Sequence, residues 1–227
     1  PELLPNMIAL NNERSNTAFV VGDTPMRLGT SQNDIATWAS NNSGTGVYAA
    51  DGLTNNNPYA GVFYPSCQTT DLEGNPVVQP PSHMILRTIV RSDQIGFPWL
   101  APAGTRRGLV DNAARIGYNE AASGEFVSVA LGQGIRDVLY ENKINPVTFL
   151  PGSGIVNYGN KTIAPMPSAL DRINVARLVA FIRNRLNEIA KTFVFEPNDQ
   201  ITRNEIANAI NGLMQDLVAK RGIYDYL

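Results

Sequence analysis

Cysteine and histidine are almost absent: the 227 residues contain one of each, Cys67 and His83. A lone thiol excludes an internal disulfide, and with a lone imidazole it excludes the usual Cys/His zinc sets. No apolar run approaches the roughly 20 residues that span a bilayer, and Pro1-Glu2 does not resemble the basic start of a signal peptide. The expectation is a soluble chain without membrane insertion. Because it starts without Met, it reads as part of something longer. Charged residues make up only 17% and sum to a net charge of -2, which argues against nucleic acid as a partner. At 43% hydrophobic, the chain can bury a sizeable core as one large or two small domains.

Catalytic motifs are missing too. No G-K-[ST] completes a P-loop, Gly132-Gln-Gly134 lacks the third glycine of a dinucleotide fingerprint, and Gly152-Ser-Gly154 lacks the spacing of a nucleophile elbow. Val20-Val-Gly-Asp23-Thr24 ends a strand in Asp-Thr as subtilisin-type proteases do, with Gly29-Thr30-Ser31 nearby. The order Asp, Ser, His is wrong for that family, however, and the flanking motifs of its His and Ser are lacking. His83 reads as a surface or capping residue. No catalytic residue, metal site or cofactor is expected.

What is present is clearest after Ile173. Val175, Leu178, Val179, Ile182, Leu186, Ile189 and Phe193 recur every three or four residues, one apolar helix stripe. From Asp171 to Lys191 the same segment holds five cations, Arg172, Arg177, Arg183, Arg185 and Lys191, against two acids. Periodicity makes Arg177 and Lys191 the exposed pair and puts Arg183 and Arg185 on the flanks. Such imbalance suits an acidic protein surface as partner. Thr202 and Glu205 read as a capping box with an Ile201–Ile206 staple, opening a second helix that stops at Lys220 and Arg221, with Gly222 as the left-handed residue. Pro197 turns the chain between them.

Upstream, Leu3 to Leu10 is the tail of an element interrupted by Pro5. Thr17 to Gly22 and Tyr59 to Tyr64 read as buried parallel strands, with a short helix over Asn33 to Ser40 and a loop from Asn41 to Asn57. Pro65 to Pro81 reads as an exposed loop, with Ser82 as N-cap for a helix over Met84 to Arg91. Leu109 to Ile116 fits either helix or strand. Gly134 to Asn142 reads as a helix, Asn145 to Leu150 as a strand, and Ile155 to Tyr158 as another. This rhythm is that of a doubly wound α/β layer.

Taken in order, W-L-A-P-A-G (Trp99 to Gly104), R-D-V-L-Y-E-N-K-I-N-P-V (Arg136 to Val147), Y-G-N-K-T (Tyr158 to Thr162), P-S-A-L-D-R-I-N-V-A-R-L (Pro167 to Leu178), F-E-P-N-D and R-G-I-Y-D-Y closely resemble the tail sheath proteins of contractile-tailed bacteriophages. The resemblance runs from about Tyr59 to the last residue. It implies an α/β fold: a doubly wound, subtilisin-like sheath domain over 1–167, followed by an α+β C-terminal domain with the helical hairpin over 168–227. It implies a structural role in the virion, not an enzyme, with assembly in the host cytoplasm. Copies of the subunit would stack as hexameric rings around the tail tube protein, with baseplate and tail terminator proteins as further partners. The cations just named would then face the tube or a neighbour. Family members continue past R-G-I-Y-D-Y into a strand pair and an arm that adds to a neighbour's sheet, and an N-terminal arm completes the exchange, so this chain alone is expected to associate weakly at most.

Two other classes fit the residues less closely, a binding module for an acidic surface or a glycan and a serine hydrolase. A fluorophosphonate probe is expected to leave the protein unlabelled; a covalent adduct seen by mass spectrometry would restore the hydrolase.

Overall fold

The computed structural model describes residues 3–25, 35–36, 38–39, 57–120 and 123–226. Its centre is strand β2 (Ala60–Tyr64), every residue of which is buried. β2 lies parallel to β1 (Val20–Asp23) on one side and to β7 (Ile144–Leu150) on the other, and β8 (Gly154–Asn157) closes the sheet antiparallel to β7, giving the order β1-β2-β7-β8. The apolar run of β2 is continuous because both faces are covered. Ala60, Val62 and Tyr64 point into one cluster with Ile8 of α1 (Leu3–Glu13), Ile35 and Trp38, and Leu139 of α4 (Gln133–Glu141). Phe63 points the other way, to Met84 and Ile85 of α2 (Pro81–Ile95) and to Ile173, the first residue of α5 (Ile173–Thr192).

The expected strands and the helix before β7 are present with ends shifted by a few residues. Residues 35, 36, 38 and 39 are helical with Ile35, Trp38 and Ala39 buried, whereas Gly29 to Ser31 and nearly all of the Asn41–Asn57 stretch lie outside the described residues. Leu3–Glu13 is a helix, with Pro5 in its first described turn.

The stretch after β2 departs from expectation. Pro65 to Pro81 is not a loop but continues into a second, antiparallel sheet of order β4-β3-β5-β6, made of β3 (Ser66–Thr70), β4 (Pro76–Gln79), β5 (Arg115–Asn119) and β6 (Phe126–Ser128). Its polar composition hid it. Ser66 and Gln68 are buried, and Gln68 repays its burial by accepting Arg115 Nε at 3.0 Å through Oε1 and Ala114 N at 2.9 Å through its carbonyl. The ambiguous Leu109 to Ile116 stretch follows the short helix α3 (Gly104–Arg107) and enters β5, and Leu109 makes a bridge to Val156.

Helix starts differ likewise. Pro80 and not Ser82 is the N-cap of α2, with Pro81 in the first turn. Ser82 instead donates its N–H (2.6 Å) and hydroxyl (2.8 Å) to the Asp23 carboxylate at the end of β1. The cap of α6 (Gln200–Ala219) is Asp199, whose Oδ1 accepts from Thr202 N at 2.9 Å, so the helix begins earlier than a Thr202–Glu205 box would place it. At the other end Arg221, with φ 58°, takes the left-handed position. Gly222 N then bonds Leu217 O and Arg221 N bonds Val218 O, the Schellman pattern. Gly222 serves close approach: a Cβ there would lie 3.2 Å from the Trp99 ring.

Asn145, fully buried on β7, ties the layers together. Its amide donates to Val62 O (3.0 Å) and Lys161 O (2.7 Å), and its Oδ1 accepts Lys161 N at 2.6 Å. Gly159 allows this contact, since a Cβ would sit 2.5 Å from that of Asn145. Asn145→Ala leaves buried backbone groups unpaired, each worth about 1 to 3 kcal/mol. A loss of roughly 3 kcal/mol in urea unfolding is expected, and a loss under about 1 kcal/mol would contradict this role.

Candidate interaction surface on the helical hairpin

Helices α5 and α6 form the expected hairpin, joined by 193–199. Its base is well packed. Leu178 and Leu217 are buried against Trp99, with Phe181, Ile182, Leu213, Met214 and Ile223 around them. Trp99 stacks on Phe97 at 4.9 Å between centroids, meets Phe181 edge-on at 5.5 Å, and donates its indole N–H to Lys220 O at 3.1 Å. Beyond the base the hairpin projects. From Phe181 to Asp216 no residue is buried, and Val194, Phe195 and Ile201 near the tip are exposed.

The candidate cations divide along this axis. Arg177 is corrected from exposed to largely enclosed: its side chain is only 10% exposed and pairs with Asp93 of α2. Helical spacing set it opposite the apolar stripe, but α2 packs there. Arg183 donates to Ser15 O (3.2 Å) and Asn16 O (3.3 Å), just past the end of α1, with its guanidinium 4.9 Å from the Tyr59 ring centroid. Asn184 adds a 2.7 Å bond to Thr17 O. Arg172 pairs with Asp171 at 3.1 Å and donates to the Tyr140 hydroxyl. These side chains fasten α5 to the α/β body.

Arg185 and Lys191 lie further out and are exposed. Arg185 pairs with Glu188 one turn on at 2.8 Å and lies over the Phe181 ring, while Lys191 has no ion pair among the described residues. A surface pair of this kind contributes little and releases its cation readily. The cations of α5 not fastened to the body therefore lie in its outer half.

Of the residues that raised a protease question, Asp23 has another task. Burial raises the Asp23 carboxyl above its usual range, opposed by the two Ser82 hydrogen bonds. Asp23 thus holds the first turn of α2, and the His83 side chain is exposed and bonded to neither. Burial pushes the Cys67 thiol up to about 11, which keeps it a protonated core residue. Among the described residues no group of His, Cys, Asp and Glu is arranged to hold a metal. No described helix is long and apolar enough to cross a membrane.

Arg177→Ala leaves Asp93 without its partner, and breaking such a pair costs up to about 3 kcal/mol at a site still partly open to water. Lys191→Ala is expected to change stability by less than about 0.5 kcal/mol. Equal effects in thermal or urea unfolding would contradict the division between fastening and free cations.

No protein-family model matches the chain. It is 36% identical over 135 residues to the tail sheath protein of Vibrio phage KVP40, and 35% identical over 136 residues to that of Enterobacteria phage T4. Each match takes in 60% of this chain but only 18% and 19% of the relative, so the chain spans about a fifth of their length. The fold resembles a chain of the anti-feeding prophage baseplate (TM-score 0.65, 19% identity, 93% of this chain and 48% of that one). It also resembles the helical sheath of the same particle in its contracted state (TM-score 0.59, 22% identity, 76% and 42%). The phage relatives bear the name of a structural tail component and not of an enzyme. Over the matched stretch, this mixed α/β chain is related in sequence to the tail sheath proteins of phages.

Proposed function

We propose that this chain is part of a structural subunit of a contractile phage tail sheath and performs no catalysis. The observation that carries the reading is the 36% identity over 135 residues to a tail sheath protein. In the virion, copies of the subunit would form stacked hexameric rings around the tail tube, between baseplate and tail terminator, after assembling in the host cytoplasm. Triggered at the baseplate, the rings would slide into a wider and shorter packing and drive the tube through the host envelope. The energy would come from a difference in contacts between two packings of one subunit, the logic of a bistable interface.

Within that role, the layer of β1, β2 and β7 is the doubly wound, subtilisin-like sheath domain over 1–167, and 168–227 is the C-terminal domain. Helices on both faces of the parallel strands support the first assignment. The projecting hairpin supports the second as the part that reaches the tube. Arg185 and Lys191 are the tube- or neighbour-facing cations, and Arg172, Arg177 and Arg183 set the direction in which α5 points. Exposed ion pairs, at about 0 to 1 kcal/mol each, suit a contact that must be released on contraction.

Electron microscopy of the complete protein that carries this chain, expressed alone and with its tube protein, tests the reading. Hollow polysheaths or sheathed tubes are the expected result, and a protein that stays monomeric in both cases overturns it. Arg185→Glu with Lys191→Glu is expected to abolish tube-templated assembly while leaving the fold intact by circular dichroism. Normal sheathing of tubes by that variant would remove these residues from the interface.

A further inference from the structure

The end of α1 and the outer fastening of α5 meet in the turn 15–17. Ser15 (φ 59°) and Asn16 (φ 53°) are consecutive non-glycine residues in the left-handed region, which such residues keep only where their surroundings hold them there. Asn11 of α1, which is buried, holds the turn from one side. Its Nδ2 donates to Ala18 O at 2.9 Å and its Oδ1 accepts Ala18 N at 3.1 Å, so the chain closes around the turn. Asn16 N donates to Asn11 O at 2.8 Å as well. Helix α5 holds the turn from the other side. Three successive carbonyls, those of Ser15, Asn16 and Thr17, accept from Arg183 and Asn184. Asn12 adds a second link: its Oδ1 accepts Asn57 Nδ2 at 3.0 Å, Asn57 Oδ1 accepts Tyr59 N at 2.7 Å, and the Arg183 guanidinium lies over the Tyr59 ring.

This fastening differs in kind from the one at the base of the hairpin. At the base, Leu178 and Leu217 are buried against Trp99, and Arg177 pairs with Asp93. At Arg183, roughly 9 Å further along the helix axis, α5 is held by hydrogen bonds to carbonyls and by one ring. A cleft of about 370 Å³ lined by Ser15, Asn16, Arg183, Leu186 and Asn187 runs beside these bonds, and water competes for them. An apolar pivot with a replaceable polar contact beyond it is the construction of a hinge with a catch.

We propose that the turn 15–17 is a releasable clasp that sets the direction of the hairpin, and that Asn11 is a positioning residue acting on α5 through it. The described side-chain hydrogen bonds of Asn11 all stay within residues 11–18, so its effect on α5 passes through the turn. With the clasp closed, α5 lies along the body; with it open, the hairpin swings about its base at Trp99. The coupling runs both ways: loosening the end of α1 frees the hairpin, and drawing the hairpin away loosens the end of α1. The clasp lies within one copy of the chain and does not require the sheath reading.

Electron paramagnetic resonance distances between spin labels test it. One label goes on Glu196→Cys at the tip, and the other on Leu72→Cys or, separately, Met166→Cys on the body, all exposed positions. The Cys67 thiol is buried and protonated and stays unlabelled. Excess unlabelled protein restricts the signal to distances within one copy. The wild type is expected to give one narrow population for each pair. Asn11→Ala and Arg183→Met are each expected to add a second population displaced from it, while Lys191→Ala leaves both distances unchanged. Combining the two substitutions is expected to displace the hairpin no further than the larger single effect, because both open the same clasp. Unchanged distances in a folded Asn11→Ala protein, or effects of the two substitutions that are independent, overturn the proposal. Should Asn11→Ala fail to fold, hydrogen exchange in Arg183→Met decides. Faster exchange of the Asn16 and Ala18 amides is then expected, and exchange at the wild-type rate overturns the clasp.

Discussion

Burial of β2 on both faces is the constraint from which the other packing follows. A strand with no polar face needs a layer on each side, and this chain supplies α1, α4 and residues Ile35, Trp38 and Ala39 on one and α2 with the start of α5 on the other. The second demand comes from the backbone itself. β1 and β7 satisfy the hydrogen-bonding groups of β2 along its length, and Asn145 takes the Val62 carbonyl where the ladder between β2 and β7 begins. Because Asn145 also grips Lys161, the sheet fixes where the chain stands as it approaches α5. Ile173, buried in the main core, then starts that helix as part of the body.

Polar contacts decide how far the attachment extends. Arg177 to Asp93, Arg183 to the carbonyls after α1 and Asn184 to Thr17 reach along the inner half of α5 and stop there. The outer half, beyond those contacts, leaves its apolar stripe half covered and its tip exposed. This gradient from fastened to free leaves the hairpin projecting from the body. It sets the exposed cations Arg185 and Lys191 away from the body, on a projection that also carries Glu188, Glu196, Asp199 and Glu205.

Small rearrangements of role elsewhere follow from the same economy of buried polar groups. An Asp at the end of β1, which in another context would orient a catalytic histidine, here anchors the first turn of α2 through Ser82. Gln68, buried in the second sheet, is acceptable because Arg115 and Ala114 satisfy it.

Local periodicity by itself determined the parallel strands, the helix before β7 and the two helices of the hairpin, because continuous apolar runs and spacings of three and four residues have one stable reading each. The motifs from Trp99 to Tyr226 carried the kinship with tail sheaths. Only the tertiary structure decided the second sheet, because Ser66, Gln68 and Thr70 look like loop residues until their distant partners are in place. It alone sorted the cations of α5, since periodicity defines the side of a helix facing its own stripe but not what packs on the other side. Arg177 is largely enclosed because Asp93 of α2 meets it, Arg183 is engaged because α1 ends there, and Lys191 has no ion pair among the described residues because it lies beyond those contacts.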